Sequence, residues 1–160
     1  MAISKGDKIP NEKVMLATAE GPQAAQTGDL LGSGKVALFS VPGAFTPTCS
    51  AKHLPGFVEK ADEFKAKGVD KIVCMSVNDA FVMQAWADDQ NAGEKVEMLA
   101  DGNGDFARAL GLVMDGKGFG MGERSQRFSM IIEDGAVKEL NVEEPGAFDV
   151  SSAEHMLGQL

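Results

Sequence analysis

Two short apolar runs with a helical segment between them constrain the fold of this chain more than any other feature. The runs KVALFSV (35–41) and KIVCMSV (71–77) are apolar almost throughout and are bounded by turn residues. Such runs are typical of strands buried on both faces of a sheet. A strand, a helix and a second strand in this order form a right-handed crossover with parallel strands. The sequence therefore predicts two central parallel strands in an α/β domain.

The segment between the two runs is predicted to be helical. Its apolar residues recur at helical spacing and are Leu54, Phe57, Val58, Ala61 and Phe64. Gly68 follows as a typical helix end. Pro55 lies inside this helix, and we expect a kink there, because proline removes a backbone hydrogen bond and crowds the preceding turn.

The next elements continue the alternation of helices and strands. Asn78 or Asp79 is suited to cap a helix, because short polar side chains accept hydrogen bonds from the first amides. Residues 96–100 (VEMLA) are predicted to form a further strand, and residues 105–110 a short helix.

The C-terminal third predicts a β-hairpin and a final helix. Residues 127–142 contain two strand-like runs around Asp134-Gly135, a turn that requires positive φ angles. Ser151 and Glu154 have the spacing of a capping box, which predicts a helix start. A hairpin adds antiparallel strands to the parallel pair, so the predicted fold class is α/β with a central mixed sheet flanked by helices.

The size and charge of the chain exclude several classes of function. A chain of 160 residues fits one domain, and we expect a single domain over residues 1–160. The net charge of -9 argues against nucleic acid or an anionic membrane as the main partner. No apolar run reaches the roughly 18 residues that cross a bilayer, and no signal peptide is evident, so a cytoplasmic protein is expected.

The two cysteines, Cys49 and Cys74, are too few for a disulfide scaffold or a four-sulfur metal site. His53 and His155 are too far apart in sequence to suggest a metal site, so no metal is expected. The cysteines are therefore either inert core residues or redox and catalytic ones.

Cys49 follows a predicted helix start. Thr46 is a favoured N-cap residue, and Pro47 fits the first helical position. Cys49 then occupies the third helical position, where unpaired amides and the helix dipole favour a negatively charged sulfur, the reactive form. The alternative is that Cys49 is a small buried apolar residue.

Three motifs resemble the type II branch of the peroxiredoxins. PGAFTPTC (42–49) fits the family signature P-x-x-x-T-x-x-C, and CMSVNDAFVMQAW (74–86) and RSQRFSMIIEDG (124–135) continue the likeness in the correct order. The resemblance covers nearly the whole chain and implies a thioredoxin-like fold. Thioredoxins themselves have Cys-x-x-Cys where this chain has Thr46, so a dithiol oxidoreductase is not expected.

The resemblance implies an antioxidant thiol peroxidase that reduces hydrogen peroxide and alkyl hydroperoxides. Cys49 is then the peroxidatic cysteine, which becomes a sulfenic acid. Thr46 holds the sulfur and the peroxide, Pro42 shields the sulfenic acid, and Arg127 stabilises the thiolate and the leaving oxygen. Because sulfur carries the redox change, no cofactor is implied. Family members of this branch usually form homodimers through the active-site end, and a homodimer is expected here.

Two routes for reducing Cys49 again remain open. Some type II members have a cysteine at the place of Cys74 and are thought to use it as the resolving thiol. Others have a resolving cysteine near the C-terminus, where this chain reads FDVSSAE (148–154) with none. We favour an external thiol over Cys74, with glutathione and glutaredoxin, or thioredoxin, as donor.

Two other functions and two further residues complete the set of predictions. The alternatives are a cysteine hydrolase or acyl transferase that uses Cys49 with His53 as base, and a non-catalytic thioredoxin-fold binding module. A loop near residues 116–122 borders the active site in the family, which implies that Phe119 lines the substrate mouth. Arg124 is interpreted as a plain surface charge.

Overall fold

The computed structural model describes residues 2–160 as nine strands and six α-helices. The strands are β1 (Lys13–Ala17), β2 (Gln23–Gln26), β3 (Lys35–Ser40), β4 (Lys71–Ser76), β5 (Glu97–Ala100), β6 (Val113–Asp115), β7 (Glu123–Ser125), β8 (Phe128–Glu133) and β9 (Ala136–Val142). The helices are α1 (Thr27–Leu30), α2 (Leu54–Glu59), α3 (Ala61–Ala66), α4 (Ala80–Asp89), α5 (Asp105–Leu110) and α6 (Ala153–Leu157). A π-helical turn (Cys49–His53) precedes α2, and a 3₁₀ turn (Lys117–Phe119) lies between β6 and β7.

Seven strands form one mixed sheet in the order β2-β1-β5-β4-β3-β8-β9. The strands β3, β4 and β5 are parallel to one another, and the remaining pairs are antiparallel. This arrangement confirms the predicted parallel pair, the strand within residues 96–100 and the mixed sheet. The C-terminal ends of β3 and β4 therefore meet at the same edge.

The two central strands separate two apolar cores. Side chains alternate across β3, so that Ala37 and Phe39 lie in one core while Val36 and Leu38 lie in the other. The aromatic ring of Phe39 stacks on that of Phe57 with ring centroids 4.0 Å apart. Strand β3 and the helix that follows it are thus fixed against each other.

The helix after β3 is less regular than the sequence predicts. It begins at Pro47 as expected, but its first full turn is π-helical, and the amide of Leu54 donates to the carbonyl oxygen of Cys49. This wider turn ends just before Pro55, so the missing amide of the proline falls at the start of α2. A second break at Lys60, which the sequence did not predict, separates α2 from α3.

The hairpin β8–β9 and helices α4 and α5 lie where the sequence predicts them. Asp134 and Gly135 have φ angles of 50° and 82°, as the turn requires. The side chain of Asp79 caps α4 by accepting a hydrogen bond from the amide of Val82 at 2.9 Å. The pairs β1–β2 and β6–β7 were not predicted, since β2, β6 and β7 are only three or four residues long and lack an apolar run that would mark a partner strand.

The predicted capping role of Ser151 is wrong. Ser152 caps α6 instead, because its hydroxyl accepts from the amide of His155 at 3.1 Å. The Ser151 hydroxyl donates to the carboxylate of Glu143 at 2.7 Å, a partner that the local sequence does not reveal. No helix within residues 2–160 is long and apolar enough to span a membrane.

Candidate active site

Cys49 lies in the turn that leaves the C-terminal end of β3, and its side chain is fully buried. The loop before it is held by two hydrogen bonds. The Thr46 hydroxyl donates to the carbonyl of Gly43 at 2.7 Å, and the amide of Ala44 donates to Asn78 at 3.0 Å. Thr46 therefore stands at the predicted helix start, but its side chain stabilises the loop and does not cap the helix.

Arg127 forms hydrogen bonds to both Cys49 and His53. Its guanidinium donates from Nη2 to the sulfur of Cys49 at 3.0 Å and from Nη1 to Nδ1 of His53 at 2.8 Å. Arg127 immediately precedes β8, whose first residue, Phe128, pairs with Ser40 at the end of β3. A permanent positive charge therefore lies in direct contact with the Cys49 sulfur.

His53 is a site residue that the sequence named only as the base of the alternative cysteine hydrolase. Its Nε2 lies 2.9 Å from the carbonyl oxygen of Ser151. Because Arg127 can only donate, Nδ1 is the acceptor and Nε2 carries the proton. Burial, together with the neighbouring charge of Arg127, lowers the pKa of His53 to about 3.

His53 is neutral, and each of its ring nitrogens already has a hydrogen-bond partner. This arrangement argues against a cysteine hydrolase. A general base needs a free ring nitrogen directed at the nucleophile, and both nitrogens of His53 are occupied elsewhere. The Arg127 partner of His53 is 74 residues away in the sequence, so no local pattern indicates it.

Hydrogen bonds between Glu143 and residues 149–151 fix the Ser151 carbonyl, which is the second hydrogen-bond partner of His53. The Glu143 carboxylate accepts from the amide of Asp149 at 2.6 Å and from the amide and hydroxyl of Ser151 at 2.9 and 2.7 Å. Burial acts to raise the pKa of Glu143, but the hydrogen bonds from Ser151 and Asp149 outweigh it and hold that pKa below its ordinary value. The Ser151 carbonyl is thereby fixed beneath His53.

A mostly apolar cavity of about 720 Å³ opens over Arg127. Its walls come from the loop after β3, the β6–β7 hairpin and the segment after β9. The lining residues are Pro42, Thr46, Pro47, Thr48, Val113, Met114, Asp115, Phe119, Met121, Gln126, Arg127, Glu143, Glu144, Pro145, Gly146 and Ala147. The structure thus brings four predicted site residues, Pro42, Thr46, Phe119 and Arg127, to one cavity. Phe119 stands at its rim with 86% of its surface exposed.

The interpretation of Arg124 as a plain surface charge is wrong. Its guanidinium donates to the carbonyl of Pro42 at 3.2 Å and to that of Met121 at 2.9 Å. Arg124 therefore ties the loop before Cys49 to the hairpin on the other side of the cavity. Its place in the motif RSQRF was the available signal, although nothing local indicates which carbonyls it binds.

Cys74 lies in the middle of β4; like Cys49 it does not line the cavity, and both cysteines pack in the same apolar core. It pairs with Phe39 of β3 and is fully buried, and burial raises the pKa of its thiol well above the usual range.

Within the described part of the chain, no three His, Cys, Asp or Glu side chains are grouped so that they could hold a metal ion.

Comparison with known proteins agrees with this geometry. The Redoxin family model matches residues 4–157. The chain is 51% identical to the chloroplastic Peroxiredoxin-2E of Arabidopsis thaliana over 99% of this chain and 70% of that protein. It is 47% identical to Peroxiredoxin-2B of the same plant over 99% and 98%. The crystal structure of reduced Prx3 in complex with H₂O₂ from Vibrio vulnificus superposes with a TM-score of 0.94 at 54% identity, covering 98% of each chain.

The sheet and these relatives define a thiol-dependent redox protein with a thioredoxin-like fold. The chain belongs to the redoxin family and, within it, to the type II peroxiredoxins. It is a thiol-dependent peroxidase, which confirms the predicted fold class and the predicted enzyme class.

Two substitutions of His53 separate its two hydrogen bonds. His53→Asn places an oxygen near the position of Nδ1 and keeps an acceptor for Arg127, whereas His53→Gln keeps a donor for the Ser151 carbonyl. We expect His53→Gln to slow oxidation by hydrogen peroxide about tenfold, because the Arg127 guanidinium loses its partner at Nδ1 and shifts away from the reacting atoms. His53→Asn should slow oxidation less. Stopped-flow kinetics would measure both rate constants. Equal losses in the two variants would contradict a role for the bond to Arg127.

The lowered pKa of Glu143 predicts an acid-dependent loss of stability. A carboxyl whose folded pKa lies below its unfolded value of about 4.3 stabilises the fold fully above that pH, and this contribution disappears as the pH falls through the folded pKa. Urea unfolding between pH 7 and pH 3 should therefore show a smaller pH-dependent loss for Glu143→Gln than for the wild type. Parallel pH curves for the two proteins would rule out this contribution.

Proposed function

We propose that Cys49 is the peroxidatic residue and that Arg127 activates it. The observation that carries this proposal is the 3.0 Å hydrogen bond from Arg127 to the Cys49 sulfur beside an apolar cavity. The thiolate attacks the terminal oxygen of a hydroperoxide ROOH, the O–O bond breaks, and Cys49 becomes a sulfenic acid. The leaving alkoxide RO⁻ takes up a proton to give ROH, and the guanidinium stabilises the charge that develops on this oxygen.

Thr46 and Pro42 prepare the peroxide for this attack. Because the Thr46 hydroxyl already donates to the Gly43 carbonyl, its oxygen is left to accept a hydrogen bond from the peroxide O–H. Pro42 forms part of the cavity wall, where its ring limits the access of water to the oxidised sulfur. The apolar lining, with Phe119 at the rim, suits the carbon chain of an alkyl hydroperoxide as well as hydrogen peroxide itself.

We propose that an external thiol, and not Cys74, reduces the sulfenic acid. Cys74 is buried in a central strand with its thiol held in the protonated form, so it is a poor nucleophile where it stands. A disulfide to Cys49 also needs both sulfurs in a suitable orientation, and the position of Cys74 in the middle of a paired central strand gives it little freedom to reorient. The donor is then glutathione with glutaredoxin, or thioredoxin.

The chain is proposed to act as one domain, residues 1–160, in the cytoplasm. One family model spans residues 4–157, and both apolar cores pack against the same seven-stranded sheet, which supports a single folding unit. The reducing conditions of the cytosol suit a reaction that consumes thiols.

The chain is also proposed to form a homodimer through the active-site end of the fold. Phe45 and Phe81 follow the C-terminal ends of β3 and β4, at the same edge of the sheet, and are 52% and 73% exposed. Large exposed aromatic side chains at one edge are typical of an interface. A second copy of the chain would cover them.

The peroxidase assignment is tested by mass analysis of two cysteine variants. After one equivalent of hydrogen peroxide, the wild type and Cys74→Ser should each gain one oxygen, while Cys49→Ser should gain none and lose peroxide consumption with dithiothreitol. Loss of two hydrogens in the wild type that disappears in Cys74→Ser would instead establish a disulfide between the cysteines. Full activity of Cys49→Ser would falsify the role of Cys49.

The dimer is tested by sedimentation velocity. The wild type should sediment with the mass of two chains, and Phe81→Glu should shift it towards one, because a buried unpaired charge is costly at an interface. Ala66→Glu is a matched control, since Ala66 is exposed in α3, which leads into the opposite, N-terminal end of β4. A monomeric wild type, or equal effects of the two variants, would exclude this interface.

A further inference from the structure

The burial of both sulfurs creates an access problem for the second half of the reaction. Cys49 and Cys74 have no exposed surface and do not line the cavity, although Arg127, which does line it, contacts the Cys49 sulfur at 3.0 Å. Hydrogen peroxide has only four atoms, so it needs a much smaller displacement of the turn to reach the sulfur than a thiol reductant does. Glutathione or a protein thiol must form a disulfide with the Cys49 sulfur, in the step RSH + Cys49–SOH → Cys49–S–S–R + H₂O. A reductant of that size can reach the sulfur only when the turn that carries Cys49 moves outward.

The backbone of this segment is of higher energy than a regular helix. Phe45 has a φ angle of 65°, which is unfavourable for a residue with a side chain. The turn Cys49–His53 is π-helical, a rare conformation that usually occurs as a single turn at functional sites. The segment therefore depends on bonds to neighbouring elements to stay closed.

Hydrogen bonds from three neighbouring parts of the structure hold the turn in place. Arg127 binds Cys49 and His53, and the Ser151 carbonyl accepts from His53. The third part is α4, where Nε1 of Trp86 donates to the Ser50 hydroxyl at 2.9 Å. Oxidation converts the Cys49 thiolate to a neutral sulfenic acid, which weakens its charge-assisted bond from Arg127. The bond between Trp86 and Ser50 involves neither the sulfur nor a charge, so oxidation of Cys49 does not weaken it directly.

We propose that the Trp86–Ser50 hydrogen bond is a latch that sets how often the Cys49 turn opens to a thiol reductant. Trp86 is fully buried, so its N–H finds no water when Ser50 is closed against it. Ser50 is next to Cys49 in the chain, so release of its side chain frees the reactive residue directly. Both residues act through the position of Cys49 and are not themselves catalytic. This inference rests on the proposed role of Cys49.

The latch is tested in the full-length chain with Cys74→Ser as background, so that Cys49 is the one thiol. Ser50→Ala removes the acceptor, and we expect glutathione to react with the sulfenic acid about tenfold faster, equivalent to about 1.4 kcal/mol in the opening equilibrium. A bulky maleimide should label reduced Cys49 faster by a similar factor. Oxidation by hydrogen peroxide, which needs a much smaller opening than glutathione does, should stay within about threefold. Fluorescence of Trp86, the one tryptophan of the chain, follows both redox steps.

Two control variants distinguish a latch from a general loss of stability. Ser50→Thr keeps the hydroxyl and should leave the thiol reactions close to wild type. Val137→Ala removes methyl groups from the core on the opposite face of the sheet and should lower the unfolding midpoint without changing either thiol reaction. If Ser50→Ala fails to fold, Trp86→Phe removes the donor instead and is read by maleimide labelling.

The outcomes separate the latch from the peroxidase assignment. The latch is overturned if Ser50→Ala accelerates the thiol reactions no more than Val137→Ala does, or if it slows oxidation tenfold and leaves labelling unchanged. If the parent protein is not oxidised by peroxide at all, the proposed role of Cys49 fails. Maleimide labelling of the reduced protein still decides the latch in that case, because it requires no peroxide chemistry.

Discussion

The contact between the Arg127 guanidinium and the Cys49 sulfur is the interaction on which the rest of the site depends. A guanidinium cannot release its proton, so a partly buried arginine must be surrounded by acceptors. The Cys49 sulfur supplies one, and His53 supplies the other through Nδ1. His53 can accept only because its second nitrogen donates to the Ser151 carbonyl, and Glu143 fixes Ser151 in turn. The hydrogen bonds that start from the Arg127 charge thus extend to residues 143–151, which are far from Cys49 in the sequence.

The sheet explains why such distant residues meet. Strand β3 lies between β4 and β8, and the pairing of Ser40 with Phe128 places the residues that follow β3 beside the residue that precedes β8. Cys49 comes from the first of these segments and Arg127 from the second. Because β3 is buried on both faces, this register is strongly specified, and a slip by one residue would expose one core. The site geometry is therefore set by the same pairing that builds the fold.

The parts of the structure that could be predicted are those that local sequence determines. The strands β3 and β4, the Asp134-Gly135 turn and the Asp79 cap each follow from a few adjacent residues. The family motifs pointed to Pro42, Thr46, Arg127 and Phe119, which the structure brings to one cavity. The roles of His53 and Arg124 could not be predicted, because each is defined by hydrogen-bond partners more than 70 residues away. Ser151 was misassigned for a different reason: the Glu143 carboxylate, eight residues earlier, accepts a hydrogen bond from its hydroxyl.

The π-helical turn also determines the rotational phase of the helix that follows it. A turn closed by the bond from Leu54 to Cys49 contains one residue more than a regular α-turn. In an uninterrupted α-helix, one surplus residue would rotate every later side chain by about 100° around the helix axis. Leu54 and Phe57, which are fully buried against the sheet, would then turn away from the core. The wide turn absorbs the extra residue, so a reactive segment and a well-packed helix occupy one continuous stretch of chain.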